Sequence, residues 1–122
     1  MIIQRQKWLN FRRIVIFDNH GSVQLELNDK PVGNQNIGAY IYALWVDEDY
    51  HRKGLATKLI RKAEELAKKN GYDRVFLEWS AFEATPETLQ WYLRSEYKAQ
   101  TEKVNAKVIL LVKHLDHDEH KQ

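Results

Sequence analysis

The sequence contains no cysteine among its 122 residues. Disulfide bonds, thiolate nucleophiles and cysteine-based metal sites are therefore excluded. Long apolar runs are also missing, because the longest aliphatic stretch, Val108 to Val112, is far shorter than the roughly 20 residues that cross a bilayer. Met1 to Asn10 lacks the apolar segment of a secretory signal. We therefore expect a cytoplasmic protein without a membrane partner.

A strong excess of either charge is missing as well. Lys and Arg total 19 against 17 Asp and Glu, which gives a formal net charge of +2. This balance does not indicate a nucleic-acid partner. An RNA-binding α/β domain stays open as an alternative only if basic residues from distant segments gather on one face. The length and composition predict one globular domain, residues 1–115, with a polar tail at 116–122.

The first third of the chain has the patterns of β-strands. Arg13 to Asp18 has a continuous apolar centre, and Val23, Leu25 and Leu27 alternate with polar residues. Asn19-His20-Gly21 and Lys30 to Gly33 have turn compositions. A longer extended run from Gly38 to Val46 follows. The pattern predicts three strands before the first helix.

A change of period then indicates helices. Apolar residues at helical spacing form one stripe, made of Leu55, Leu59, Ile60, Ala63, Leu66 and Ala67. Val75 to Trp79 is strand-like, and Thr85-Pro86-Glu87 is a typical helix start, with the helix running to about Ser95. Lys107 to Lys113 closes the chain as a strand. This order predicts an α/β (α+β) fold with a mixed sheet of about six strands and two main helices.

The stretch from Ala43 to Thr57 carries the chemistry. It joins a strand to an amphipathic helix through a short basic loop that contains Arg52 and Lys53. Amides in the first turn of a helix lack internal acceptors and attract anions, and small residues at Gly54 and Ala56 allow a diphosphate to approach the backbone. The residues alone leave two readings open: a site for a phosphate-bearing ligand, or a plain helix start with solvated charges.

Here the sequence resembles the GNAT superfamily of N-acetyltransferases. His51-Arg52-Lys53-Gly54-Leu55-Ala56, after Leu44-Trp45-Val46 and Tyr50, is similar to the acetyl-CoA motif Gln/Arg-x-x-Gly-x-Gly/Ala. The resemblance continues through Val75 to Glu78 and into Trp91 to Tyr97, which is similar to the Phe-Tyr-x-x-x-Gly-Phe helix end of the family. It implies an acyl-CoA N-acyltransferase fold with a mainly antiparallel sheet, splayed where acetyl-CoA enters.

The resemblance also implies a reaction, in which an amine acceptor directly attacks the thioester of acetyl-CoA. No covalent enzyme intermediate and no metal is required. The backbone of Leu44, Trp45 and Val46 would pair with the pantetheine arm, and the Val46 amide would stabilise the thioester oxygen. The remaining cofactor contacts are expected from the loop and first helical turn, at His51, Arg52, Lys53, Gly54, Leu55, Ala56 and Thr57.

Two side chains are the expected catalytic groups. Tyr92 stands where many family members keep a tyrosine that protonates the leaving thiolate, although its position in an amphipathic helix also fits simple core packing. Glu78 is the expected general base, with Asp47 and Glu48 as alternatives. Each of these carboxylates also fits an ordinary surface position.

The sequence departs from the family pattern at four places, and at one of them Thr85 replaces an Asn but retains a capping oxygen. His51 replaces Gln or Arg, and Glu96 replaces a glycine whose left-handed conformation is unfavourable for glutamate, so we expect a different helix end and a displaced Tyr92. The front of the chain predicts a hairpin in place of the two helices that normally form a wall of the acceptor site. The acceptor site is then open or completed by a second subunit in a homodimer.

Two further alternatives follow. A chain that kept the cofactor loop but lost the acceptor wall could be a non-catalytic acyl-CoA-binding or interaction module. In the tail, His114, His117 and His120 recur with acidic neighbours and could bind a transition metal, but we expect a solvated terminus instead.

Overall fold

The computed structural model describes residues 1–32, 37–100 and 107–115. In chain order the elements are β1 Ile2–Lys7, β2 Phe11–Asp18, β3 Gly21–Val32, β4 Ile37–Val46, a 3-10 turn Glu48–Tyr50, α1 Leu55–Lys69, β5 Arg74–Ser80, α2 Pro86–Arg94, β6 Lys98–Ala99 and β7 Val108–His114. The predicted α/β class, with a mixed sheet and two main helices, is confirmed.

The strands of the described residues belong to one sheet, in the order β1-β2-β3-β4-β5-β7-β6. Neighbouring strands are antiparallel except β4 and β5, which are parallel and are connected through α1. Parallel neighbouring strands need a crossover connection of this kind, because a tight turn can join only antiparallel strands. The parallel pair lies in the middle of the sheet, between an antiparallel meander of β1 to β4 and the antiparallel strands β5, β7 and β6.

Helix α1 covers one face of this sheet. Its predicted apolar stripe is buried from Leu55 to Ala67, and it packs on side chains such as Leu25, Ile41 and Leu77. The helix begins after Gly54, and it ends where the Asn70 amide and side chain both donate to carbonyls of the last turn. The amphipathic period is therefore explained by a single contact surface with the sheet.

Glu64 is buried on the same face of α1, although the apolar stripe predicted no acid there. Its two carboxylate oxygens accept hydrogen bonds from the Tyr97 hydroxyl at 2.7 Å and the Lys113 ammonium at 3.1 Å. Burial, and then the charge of Glu64, raise the pKa of Tyr97. Both carboxylate oxygens are satisfied, which is the condition for burying such a group.

Helix α2 is fixed at both ends. Thr85 caps its start by accepting from the Thr88 amide at 3.3 Å, as the sequence predicted, and the Trp79 indole donates to the Thr85 carbonyl at 2.9 Å. At the other end Glu96 has a φ of 77°, so the expectation that glutamate would avoid the left-handed conformation is wrong. Burial of Tyr97 against Glu64 offsets this backbone cost, which is about 1 kcal/mol. The Ser95 and Tyr97 amides both donate to the Tyr92 carbonyl, which closes the helix at this residue.

The sequence missed both edge strands. β1 is exposed along almost its whole length, and β6 has only two residues, both exposed, so neither has a buried face that would produce an alternating pattern. The prediction of a turn over Lys30 to Gly33 is wrong for the residues up to Val32, because β3 continues to Val32 and pairs there with β4. Residues 33–36 and the tail 116–122 lie outside the described residues.

The predicted front hairpin consists of β2 and β3, which pair from Phe11↔Asn28 to Asp18↔Gly21. The edge strand β1, which the sequence missed, forms a second hairpin with β2. β1 and β2 pair from Ile2↔Phe17 to Lys7↔Arg12 and are connected by residues 8–10. The hairpin has no helix between its strands, so the sheet face opposite α1 keeps polar aromatic side chains, including Tyr40 and Tyr42. Within the described residues, no helix is long and apolar enough to cross a membrane.

Candidate active site

The strands β4 and β5 separate soon after they meet. They pair at Ala39↔Val75 and Tyr40↔Phe76, and beyond Tyr40 no described strand pairs with this edge of β4. The opening between them is a cavity of about 480 Å³, which we call the strand cleft, lined by Leu44, Trp45, Val46, Glu78, Tyr92 and their neighbours. The free backbone groups of β4 can pair with an extended ligand as they would with another strand.

A β-bulge lies where β4 leaves β5. Ser22 pairs with Trp45 but Gln24 pairs with Tyr42, so β4 has one residue more than β3 over this interval. Ala43, within the bulge, has a φ of 55°. Because a bulge bends its strand and increases its twist, this extra residue accounts for the direction that Leu44 to Val46 take along the cleft.

The loop after β4 forms a second cavity, of about 470 Å³, which we call the loop pocket. Arg52 and Gly54 both have left-handed backbones, with φ of 65° and 84°. The Lys58 amide, one turn into α1, donates to the Gly54 carbonyl. The amides of α1 before Lys58 therefore have no acceptor inside the helix. These amides, together with the helix dipole and Arg52, form a suitable environment for a diphosphate.

The expected cofactor residues fall into three groups. Leu44, Trp45 and Val46 line the strand cleft, and His51, Arg52, Gly54, Ala56 and Thr57 line the loop pocket. The Lys53 ammonium lies 5.1 Å from the centre of the Tyr50 ring, and the Leu55 side chain is buried in the core. Two cavities that share Leu44, Val46 and His51 therefore bring most of these residues together.

His51 has a local role in the loop. Its Nε2 lies 3.0 Å from the carbonyl oxygen of Val46, so the tautomer with a proton on Nε2 donates to that carbonyl. This contact connects the end of β4 to the start of the basic loop. The substitution of histidine for the family's Gln or Arg therefore keeps a side chain that can bond to the backbone here.

His20 also supports the loop, although no pattern in the sequence indicated this role. Its Nδ1 lies 3.1 Å from Asp47, and its ring stacks on Tyr50 with a centroid distance of 3.6 Å. The Asp47 amide donates to the His20 carbonyl at 2.7 Å. His20 is in the β2–β3 turn, so only the folded sheet brings it to the loop. The contact explains the place of Asp47, which does not line the strand cleft.

Tyr92 projects from α2 into the strand cleft and is 8% exposed. Its ring packs on Trp91 and edge-on against Tyr97, with centroid distances of 4.9 and 5.9 Å. Burial alone raises the pKa of Tyr92, and its hydroxyl has no hydrogen-bond partner in the described part of the chain. Tyr92 is therefore a neutral donor in the cleft at physiological pH.

Glu78 is exposed and lines the same cleft. The Tyr40 hydroxyl donates to its carboxylate at 3.3 Å, and burial, followed by the charge of Glu78, raises the pKa of Tyr40 to about 12. Tyr40 thus keeps its proton and remains a donor. Glu48 lies in the exposed 3-10 turn and does not line the strand cleft. Of the three candidate carboxylates, only Glu78 is placed to meet a group bound there.

Several residues of α2 complete the loop pocket and were missed by the sequence reasoning. They are Glu87, Thr88, Trp91 and Arg94. Their spacing of one, three and three residues places them along one side of the helix, so helical periodicity could have identified them once the loop was known. Among the described residues no cluster of three or more His, Asp or Glu is arranged to hold a metal, and His117 and His120 lie outside those residues.

Comparison with known sequences agrees with this geometry. Residues 4–95 match the acetyltransferase (GNAT) family. An uncharacterized N-acetyltransferase of Methanocaldococcus jannaschii is 33% identical over 82 residues, covering 56% of this chain and 36% of the relative. The chain thus spans about a third of the length of that relative.

Solved structures share the fold at low identity. An acetyltransferase from Bacillus cereus superposes with a TM-score of 0.62 at 21% identity, covering 86% of this chain and 73% of the other. The PaiA N-acetyltransferase of Thermoplasma acidophilum, solved in complex with coenzyme A, has a TM-score of 0.64 at 17% identity and covers 87% of this chain and 62% of the other. These likenesses establish the fold, which is that of acyl-CoA N-acyltransferases.

The His20 contacts generate a prediction about the loop. We expect His20→Ala to destabilise the protein by about 1 kcal/mol, because it removes one hydrogen bond and one stacking partner of Tyr50. Amide hydrogen exchange should accelerate from residue 47 to 54 and remain unchanged in β7. Asn19→Ala, in the same turn but exposed, is the control and should leave the exchange rates as they are. Equal rates in the two variants would show that His20 does not hold the loop.

Proposed function

This chain belongs to the acetyltransferase (GNAT) family, and we propose that it transfers the acetyl group of acetyl-CoA to a primary amine bound in the strand cleft. The proposal rests on the continuity between the free edge of β4 and the loop that begins α1. The free edge of β4 leads directly into the left-handed residues Arg52 and Gly54 and the unpaired amides of α1. A ligand with an amide-containing arm attached to a diphosphate matches this sequence of donors and acceptors.

The backbone carries most of the proposed cofactor binding. Amides from Lys53 to Thr57 hold the diphosphate, and Arg52 adds a positive charge beside it. Leu44 to Val46 pair with the pantetheine arm, so that the Val46 amide is directed at the thioester oxygen. Acetyl-CoA supplies an acyl group activated as a thioester. A fixed amide at that oxygen stabilises the negative charge that develops there, which is often the largest catalytic contribution.

Proton transfer is assigned to two side chains of the strand cleft. Glu78, exposed at the cleft, accepts a proton from the incoming ammonium and leaves a nucleophilic amine. The amine nitrogen attacks the thioester carbon to form the C–N bond, and the tetrahedral intermediate collapses by breaking the C–S bond. Tyr92, which burial keeps protonated, donates its proton to the departing sulfur. The tyrosinate then takes the second proton from the nitrogen, which leaves a neutral amide, and Glu78 releases its proton to solvent. Tyr40 orients the Glu78 carboxylate through their hydrogen bond.

A second candidate function is a non-catalytic acyl-CoA-binding module. This candidate is favoured by the short connection between β1 and β2 at residues 8–10. The connection contains no helix that could cover the sheet face opposite α1. An amine acceptor would then have less protein around it than in an enclosed site. Cofactor binding without turnover over a broad panel of amines would favour this candidate, whereas release of free thiol with any amine would favour catalysis.

The first test is calorimetric titration of acetyl-CoA into the protein and into Gly54→Glu. We expect micromolar binding to the natural chain and none to the variant, because a carboxylate at the start of α1 repels the diphosphate and occupies its place. A Cβ at Gly54 meets no atom within 4 Å, so the cost of the substitution to the fold is mainly backbone strain at a φ of 84°.

Gly71→Glu is the matched control. Gly71 also has a positive φ, 93°, and open space for a Cβ, but it lies beyond the other end of α1. Both variants therefore have the same change of charge and a similar backbone strain. The proposal requires that only Gly54→Glu lose binding. Absence of binding to the folded natural chain, or equal binding by both variants, would contradict it.

A second prediction concerns Tyr92. We expect Tyr92→Phe to lower kcat about 100-fold without changing the KM for acetyl-CoA, because it removes a proton donor and keeps the ring. Since burial raises the pKa of Tyr92 above its ordinary value of 10.0, the acid form persists as the pH rises, and activity should decline only above pH 10.0. The variant should lack that alkaline decline. Rates measured from pH 7 to 11, in buffers of equal ionic strength, check both expectations, and an unchanged kcat would exclude Tyr92 as the acid.

A further inference from the structure

A third cavity, of about 290 Å³, lies between α1 and α2. We call it the helix pocket, and it adjoins the loop pocket because Thr57, Trp91 and Arg94 line both. Neither the sequence motif nor the proposed mechanism uses it. A ligand whose diphosphate occupies the loop pocket would therefore have this cavity immediately beside it.

The helix pocket has an excess of positive charge after the ion pair within its lining is set aside. Glu64 and Lys113 both line it, but they form an ion pair at 3.1 Å, and Tyr97 takes the second oxygen of Glu64. Arg61 and Arg94 remain, both exposed and without an ion-pair partner among the described residues. Glu96 is the one other carboxylate in the lining, and it is exposed to solvent.

Two free guanidinium groups match a phosphate monoester better than they match a diester or an uncharged group. Guanidinium presents several donors in a planar fork, which suits a terminal phosphate with three free oxygens. Arg61 follows Thr57 by one helical turn, which is about 6 Å along the axis of α1. In coenzyme A, one ribose separates the diphosphate from the 3′-phosphate. The spacing between the amides of α1 and Arg61 is therefore suited to this pair of phosphates.

We propose that Arg61 and Arg94 bind the 3′-phosphate of coenzyme A in the helix pocket and thereby select coenzyme A over 3′-dephospho-coenzyme A. This inference rests on the proposed function, because it assumes that the diphosphate occupies the loop pocket. It assigns a specificity role to two residues outside the motif. Neither residue takes part in the transfer step, so both act on the affinity for the cofactor and leave kcat unchanged.

The test compares the dissociation constants of coenzyme A and 3′-dephospho-coenzyme A by calorimetry at low ionic strength. The variants are Arg61→Gln, Arg94→Gln and the double substitution. Arg5→Gln is the control, because it removes the same charge from the exposed edge strand β1. We expect the natural chain and the control to bind coenzyme A at least tenfold more tightly than its dephospho form. Arg61→Gln should lose most of this preference with an unchanged affinity for the dephospho form, because Arg61 lines only the helix pocket. The double variant should bind the two ligands equally.

The possible outcomes separate this inference from the proposed function. If the natural chain binds neither ligand, both the proposed function and this inference are wrong. If it binds both with equal affinity, or if Arg61→Gln weakens both to the same extent, the proposed function stands and the assignment of the 3′-phosphate to Arg61 and Arg94 is wrong. A loss confined to coenzyme A cannot come from a damaged fold, because the dephospho ligand reports on the fold in the same variant.

Discussion

The site depends on the early separation of β4 from β5. Two parallel strands in the centre of a sheet normally satisfy each other's backbone groups, and here the pairing stops after Tyr40↔Phe76. The remaining length of β4 is held on its other edge by β3, up to the pair Gly21↔Val46. The edge of β4 that faces β3 is therefore paired, and the edge beyond Tyr40 that faces the cleft has free backbone groups. The strand cleft, the position of Tyr92 and the approach to the basic loop all follow from this arrangement.

The close approach of β3 to the end of β4 shows how firmly that paired edge is held. A Cβ at Gly21 would lie 2.7 Å from the Trp45 carbonyl oxygen, a distance that no ordinary side chain tolerates. His20, the preceding residue, contacts Asp47 and Tyr50 across the same junction. The β2–β3 turn thus supports the loop through these contacts.

Backbone strain is concentrated along the cavities. In the described part of the chain, the non-glycine residues with positive φ are Ala43, Arg52 and Glu96. Ala43 lines the strand cleft, Arg52 the loop pocket and Glu96 the helix pocket. Such conformations cost about 1 to 3 kcal/mol each and persist where the surrounding structure over-determines them, often at ligand sites. Their distribution agrees with a single extended ligand path through the three cavities.

The sequence predicted the elements that bury a face and missed those that do not. The stripe on α1, the Thr85 cap and the central strands were all visible as periods or caps, because each has a one-sided environment. The edge strands β1 and β6 and the buried Glu64 were not, since exposed strands have no period and the partners of Glu64 are far away in the chain. In the site, the loop was recognisable from Gly54 and its neighbours. His20 and Arg61 could not be found, because only the folded chain brings them to the cavities.

In the proposed complex, an acyl-CoA lies along β4 and ends at the start of α1. A ¹⁵N NMR spectrum of the labelled protein, recorded with and without coenzyme A, locates the ligand along the chain. We expect the largest shifts of amide signals at Leu44 to Val46 and at Gly54 to Thr57. Smaller shifts should appear in α2, and β1 should be unchanged. Shifts confined to the sheet face opposite α1, or their absence at a saturating concentration of coenzyme A, would contradict it.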